Sequence, residues 1–213
     1  MTKASIIIPT YNRLGLLQNC IASIREHTNT SHEIIVVDRA SSDGTADWCR
    51  REKLPIISLP RNEGFSVACN KGLLLSSGDT LVLLHSDTVV SPNWLNNLQE
   101  ALYSSSDIGI VAPVLNRAGD SQKVHYPFEN IEEFQRIAAE VNISDPEKWK
   151  RVETFLGVCV AFQRALMEKL GLLDERLSGA EQAEEDYSIR SRRLGLSLLV
   201  CQDTFIFHDY SEK

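Results

Sequence analysis

The chain has 213 residues, 43% hydrophobic and 24% charged, with a formal net charge of −7, which fits one soluble globular domain with a sizeable core. The acid surplus excludes a general nucleic-acid binder, which needs cations to displace counterions along a phosphate backbone, but not the binding of one nucleotide whose charge a metal ion offsets. Five scattered cysteines, Cys20, Cys49, Cys69, Cys159 and Cys201, make no Cys-x-x-Cys pair; a disulfide framework or structural zinc site is excluded, and they read as reduced core thiols of a cytosolic protein.

The apolar run after Met1-Thr2-Lys3 is too short for a secretory signal, and no run approaches the roughly 20 apolar residues of a membrane span. The expected location is cytoplasmic, including the inner face of a membrane as a peripheral protein. "ASIIIP", residues 4–9, predicts a buried parallel strand. Leu14, Leu17, Ile21 and Ile24 then recur at helical spacing. "HEIIVVD" predicts a second strand ending on Asp38, and "SSDGTADWCRRE" a turn at Asp43-Gly44 followed by a helix. "LPIISLP" is a short third strand, a helix starts near Ser66, and "GDTLVLLHSD" is a fourth strand. Ser91 is placed to cap the next helix, with Pro92 at its first position and Trp94, Leu95, Leu98 and Leu102 inward. "IGIVAPVL" is a further strand.

The alternation breaks after Leu115. Residues 117–153 are polar, with a turn at Gly119-Asp120, an amphipathic helix near Ile131 to Val141 and a helix start at "SDPEKW"; they read as an insertion or flap outside the sheet. "FLGVCVAF" resumes a strand, "RALMEKLG" a short helix, and "LSLLVC" and "TFIFHDYS" close the chain. The expectation is one α/β domain, a mainly parallel central sheet flanked by helices. Its halves are residues 1–115 and 116–213, the second carrying the insertion 117–153.

In such sheets ligands bind beyond the carboxyl ends of the strands. Asp38, Asp87 and the Pro9-Thr10-Tyr11 turn all fall there. Asp87 reads either as a turn residue or as a hard-cation ligand completed by substrate phosphates. Asp38 reads either as a turn or capping residue or as an acceptor for a base or ribose. Glu184, Glu185 and Asp186 open a helix, where crowded like charges and the helix terminus pull their pKa values in opposite directions. One of them can serve as a general base, or they can be capping acids with an i,i+4 pair from Asp186 to Arg190. His208 reads as a packed histidine or a metal ligand.

Seven segments in order, "SIIIPTYNRLGLLQNCIASI", "EIIVVDRASSDGT", "RNEGFSVACNKGL", "LVLLHSDTVVSPNWL", "GVCVAFQRALMEKLGLLDERL", "AEEDYSIRSRRLG" and "IFHDYS", resemble family 2 glycosyltransferases. These are inverting enzymes of the Rossmann-like glycosyltransferase A fold that use nucleotide-diphosphate sugars. The resemblance implies that Pro9, Thr10 and Tyr11 line the nucleotide pocket and that Asp38 contacts the base or ribose. It implies that Asn62, Gly64, Phe65, Asn70 and Ser86 shape the sugar-nucleotide site. Asp87 and His208 would be ligands of Mg²⁺ or Mn²⁺, and Asp186 the catalytic base, with Glu185 next in line. The implied partners are a UDP- or dTDP-sugar and a glycan, lipid-linked or protein acceptor, as in polysaccharide biosynthesis.

Four departures stand out. Arg39-Ala40 replaces the family's small polar pair, so a guanidinium either alters nucleotide preference or folds outward. His85-Ser86 replaces an acid or amide pair ahead of Asp87. "SGAEQAEED" lacks the usual tryptophan or Gly-rich turn, and the chain ends five residues after His208, as an excised domain or a minimal member would. The weakened metal motif and early end motivate a second reading, a non-catalytic sugar-nucleotide or glycan-binding module of a larger polysaccharide-synthesis protein. A nucleotidyltransferase is disfavoured, because "PTYNRLG" has one glycine and one arginine where a Gly-rich, basic loop is needed.

Overall fold

The computed structural model describes residues 2–118 and 121–209; the expected turn at Gly119-Asp120 and the tail from Tyr210 lie outside them. The strands are β1 Ala4–Thr10, β2 His32–Asp38, β3 Ile56–Ser58, β4 Thr80–Leu84, β5 Thr88–Val89, β6 Ile108–Leu115, β7 Trp149–Val152, β8 Cys159–Gln163 and β9 Ser197–His208. The helices are α1 Leu14–His27, α2 Thr45–Arg51, α3 Phe65–Leu75, α4 Trp94–Tyr103, α5 Ile131–Val141, α6 Arg164–Leu170 and α7 Ala180–Arg193. Among the described residues the sheet runs β3-β2-β1-β4-β8-β6-β9-β5, with β7 also paired to β9.

Strand β1 shows why the first half is parallel and doubly covered. Successive side chains point to opposite faces, so Ile6 and Ile8 pack with Leu17, Ile21 and Ile24 of α1. Ile7 packs with Ala68, Cys69 and Leu73 of α3 on the other face. A strand buried on both sides needs an unbroken apolar run, as "SIIIP" nearly supplies. Strands β3, β2, β1 and β4 are mutually parallel.

Strand β8 is antiparallel to both β4 and β6, and β9 is parallel to β6. The amino end of β8 and the carboxyl ends of β1, β2, β4 and β9 therefore share one sheet edge. The five cysteines are buried and free.

Three local expectations change. Ser91 does not cap α4, which begins at Trp94 behind Asn93 in the left-handed region (φ 63°). Buried Ser91 instead donates from Oγ to the Phe205 carbonyl and accepts from Asn142 Nδ2. Residues 149–152, expected within the insertion, are strand β7, paired antiparallel with β9. The "LSLLVC" and "TFIFH" runs are one strand with a register shift between Pro113 and Val114 of its β6 partner. Helix α5 lies against the sheet, with Phe134 and Ala138 buried beside Phe205. Among the described residues no helix is long and apolar enough to cross a membrane.

At the opposite edge Glu33 anchors the start of β2. It accepts from Ser5 Oγ (2.5 Å), Lys3 Nζ (3.0 Å) and the Ser77 backbone N–H (2.7 Å). Partial burial pushes its pKa up, but these bonds prevail and hold it near about 2, below its usual 4.5. The folded pKa is depressed, so the stabilisation is complete above pH 4.5 and is lost as pH falls through about 2. Denaturant titrations from pH 7 to 2 should show the stability gap between the native chain and Glu33→Gln closing below pH 4.5; a gap independent of pH would contradict this anchor.

Candidate active site

A cleft of about 690 Å³ opens at the shared sheet edge, within the range that takes a small ligand. Its walls come from Pro9 near the end of β1, Tyr11 and Arg13 after it, Arg39 after β2, Phe65 at the start of α3, and His85, Ser86 and Asp87 after β4. Leu156 and Val158 ahead of β8, Ser178 to Gln182 and Glu184 around the start of α7, and His208 and Asp209 complete it.

Asp87 lies at the centre. His208 Nε2 sits 3.1 Å from its Oδ1, and Arg13 pairs with its Oδ2. The neighbouring backbone is fixed: Thr88 pairs with His208 across β5 and β9, and the Asp209 N–H donates to the Asp87 carbonyl at 2.8 Å. Burial raises the Asp87 pKa, but the hydrogen bond and charge of His208, with His85 and Arg13, bring it below the usual carboxylate value. Ligand atoms of His85, Asp87 and His208 lie within 4.8 Å of one another. Two imidazoles and a carboxylate at that spacing fit a divalent cation that keeps open positions for substrate oxygens.

His85 links this cluster to α7. Its backbone N–H donates to the Val158 carbonyl at 2.9 Å, and the Phe65 ring meets it edge-on at 5.3 Å. Nε2 lies 3.2 Å from Glu184 Oε1. Burial lowers the His85 pKa, but the hydrogen bond and charge of Glu184, with Asp87, raise it above its usual value against Arg39. Glu184 is held from the other side by the Gly157 N–H, 3.1 Å from Oε2. A Cβ at Gly157 would lie 2.1 Å from Glu184 Cδ, so only glycine lets the backbone approach this carboxylate.

Of the residues expected at the site, the structure gathers Pro9, Tyr11, Phe65, Ser86, Asp87 and His208 in the cleft. It does not gather the rest there. Asp186 pairs with Arg190 at 2.8 Å, Glu185 is exposed, and neither lines the cleft. Asp38 is buried and caps its own turn, accepting from the Ser41 N–H at 3.0 Å. Asn70 clamps the Leu173 backbone, donating to its carbonyl (2.9 Å) and accepting from its N–H (3.0 Å). Thr10, which is buried, and Asn62, which is exposed and accepts from the Gly64 N–H at 3.3 Å, also stand outside the lining. Gly64 acts indirectly. Its φ of 97° and a Cβ path only 3.2 Å from Ser178 require glycine, and the Phe65 N–H then donates to the Ser178 carbonyl at 3.1 Å. None of the described residues of 117–153 lines the cleft.

Sequence reasoning missed Glu184 as the inward acid, though helical phase carries the signal. Ala183, Glu184, Tyr187, Ser188 and Ser191 form the buried stripe of α7, at the spacings that share one helix face. Asp186 is out of phase with that stripe. Arg13 and the Gly157 contact had no comparable signal.

The family model described as Glycosyl transferase family 2 matches residues 5–171. Glycosyltransferase AglE of Haloferax volcanii is 24% identical over 216 residues, covering 96% of this chain and 66% of its own length. The dolichol-phosphate mannosyltransferase of Pyrococcus furiosus is 33% identical over 115 residues, 51% of this chain and 32% of its own. This chain thus spans two thirds or less of those relatives' length. Among solved structures, the mannosyltransferase PcManGT from Pyrobaculum calidifontis, in complex with GDP-Man and Mn²⁺, superposes with a TM-score of 0.76 at 22% identity, over 100% of this chain and 58% of that one. GalNAc-T7 with UDP, GalNAc and Mn²⁺ superposes with a TM-score of 0.77 at 18% identity, over 100% of this chain and 44% of that one. At these identities the two structures share the fold.

The Gly157 contact gives a structural test. Gly157→Ala should lose on the order of 1–3 kcal/mol of stability, because an inserted methyl forces packed groups aside. Chemical denaturation measures the loss, and unchanged stability would contradict the close approach to Glu184.

Proposed function

This chain belongs to glycosyl transferase family 2, and we propose that it moves a sugar from a nucleotide-diphosphate sugar to an acceptor hydroxyl with inversion at the anomeric carbon. The observation that carries this reading is the gathering of His85, Asp87 and His208 beside Glu184 in one cleft. Asp87 and His208 would hold a divalent cation, with His85 in reach as a third ligand. Imidazole in the donor set favours Mn²⁺ over Mg²⁺, which prefers oxygen ligands. When bound, such an ion neutralises the diphosphate and supports its departure as a Lewis acid.

The chain's own residues do the rest. Arg13, held against Asp87, adds a fixed positive charge where the diphosphate would lie. Tyr11 offers an aromatic wall on the nucleoside side. Ser178, Glu181 and Gln182 make a polar wall on the far side, suited to a polyhydroxylated acceptor. Glu184 takes the base role expected of Asp186, because within α7 only Glu181 and Glu184 bring carboxylates to the cleft. Glu184 removes the acceptor hydroxyl proton as that oxygen bonds to the anomeric carbon. The bond from this carbon to the diphosphate oxygen breaks on the opposite face, and its electron pair leaves with the nucleoside diphosphate. The Gly157 N–H and His85 keep the carboxylate aimed.

Turnover is read as nucleoside diphosphate released from a panel of sugar nucleotides with Mn²⁺ and candidate acceptors. Glu184→Gln should lower it by roughly 10²–10⁴-fold, the range of a lost general base, while nucleotide affinity holds. Asp186→Asn should stay near the native rate. The reverse pattern would return the base to Asp186. Binding with no release by the native chain would favour the non-catalytic module.

A further inference from the structure

Arg39 occupies the position where the sequence departs from its family, and the structure turns it into the cleft. The turns after β1 and β2 are laced into one wall. The Arg39 N–H donates to the Thr10 carbonyl at 3.0 Å, the Asn12 N–H donates to Ser41 Oγ at 2.8 Å, and the Ser42 N–H donates to Asn12 Oδ1 at 2.7 Å. Ala40 follows in the left-handed region at φ 65°, which an alanine adopts only under constraint. The guanidinium lies 5.8 Å from the centre of the Tyr11 ring, the outer range of a cation–π contact. Its Nε is buried without a hydrogen-bond partner, a costly state for a charged donor.

Strand order fixes which part of a ligand meets this wall. Neighbouring strands β2, β1, β4 and β8 deliver Arg39, Tyr11, Asp87 and Val158 in that sequence along the edge. A diphosphate over the Asp87 cluster with its sugar toward Glu184 leaves the nucleobase against Tyr11 and Arg39. The acid that would accept from a base N–H, Asp38, is withdrawn into its own turn. A side chain that only donates stands in its place.

Resting on the nucleotide-sugar reading, we propose that Arg39 reads the nucleobase and selects oxo bases (uracil, thymine, guanine) over cytosine and adenine. Cytosine and adenine carry an amino group where uracil and guanine carry a carbonyl oxygen. A guanidinium bonds that oxygen and meets the amino group donor to donor.

Calorimetric titration with Mn²⁺ and the size-matched pairs UDP/CDP and GDP/ADP tests this. The native chain should bind the oxo member about tenfold or more tightly in at least one pair, the discrimination of a good arginine–base contact. Arg39→Met, which keeps bulk and removes every donor, should erase the preference by weakening the oxo member alone. Equal binding within both pairs by the native chain would overturn the proposal without any variant. Equal weakening of all four nucleotides by Arg39→Met would also overturn it, as the mark of a phosphate clamp. If none of the four binds the native chain, the nucleotide-sugar reading itself fails, and this proposal with it.

Discussion

The carboxylate of Asp87 ties together three parts of the chain that lie far apart in sequence. One oxygen takes His208 from the end of β9 and the other takes Arg13 at the start of α1. Burying a carboxylate is costly unless it is paired and hydrogen-bonded, and here a guanidinium and an imidazole meet that condition together. The pairing draws the final strand, the first helix and the end of β4 onto one point. The cleft walls follow from where these elements are then held.

The sheet topology explains why segments from both halves of the chain meet at one point. Parallel β2, β1 and β4 bring three carboxyl ends to the edge, the usual ligand side of such sheets. Antiparallel β8 brings its amino end to the same edge, and with it the backbone of Gly157 against Glu184. His85 joins the two halves, with its backbone on Val158, its ring against Phe65 and its imidazole on Glu184. The histidine that departs from the family's metal motif is thus the physical link between the cation cluster and the α7 carboxylate. That link is absent from an acid at the same place, which would repel Glu184.

Much of this was legible in the sequence, for reasons that vary by residue. The apolar runs of β1, β2 and β4 set a doubly covered parallel sheet, and Asp87 and His208 came to the edge because Asp87 lies in the turn after buried β4 and His208 ends β9. Other polar residues have local work that residue type does not reveal. Asp38 and Asn70 look like ligand groups, yet each satisfies backbone groups of its own surroundings, a demand that arises only after folding. Ser91 has the residue type of a helix cap, but tertiary contacts with Phe205 and Asn142 claimed its hydroxyl. Among the three acids of α7, residue type is silent and helical phase decides: Glu184 falls on the buried stripe and Asp186 on the Arg190 side. The Gly157 approach had no sequence signature, since its cause is a carboxylate 27 residues away.

The central claim is that the Asp87 cluster is a cation and diphosphate site. Pulsed electron paramagnetic resonance of Mn²⁺ added to the native chain tests it most directly, because the ion reports the nuclei bound to it. The account predicts imidazole ¹⁴N couplings that vanish in an Asp87→Ala, His208→Ala double variant, and a ³¹P coupling that appears when a nucleoside diphosphate is added. Bound Mn²⁺ with no nitrogen coupling, or no phosphorus coupling at saturating nucleotide, would contradict it.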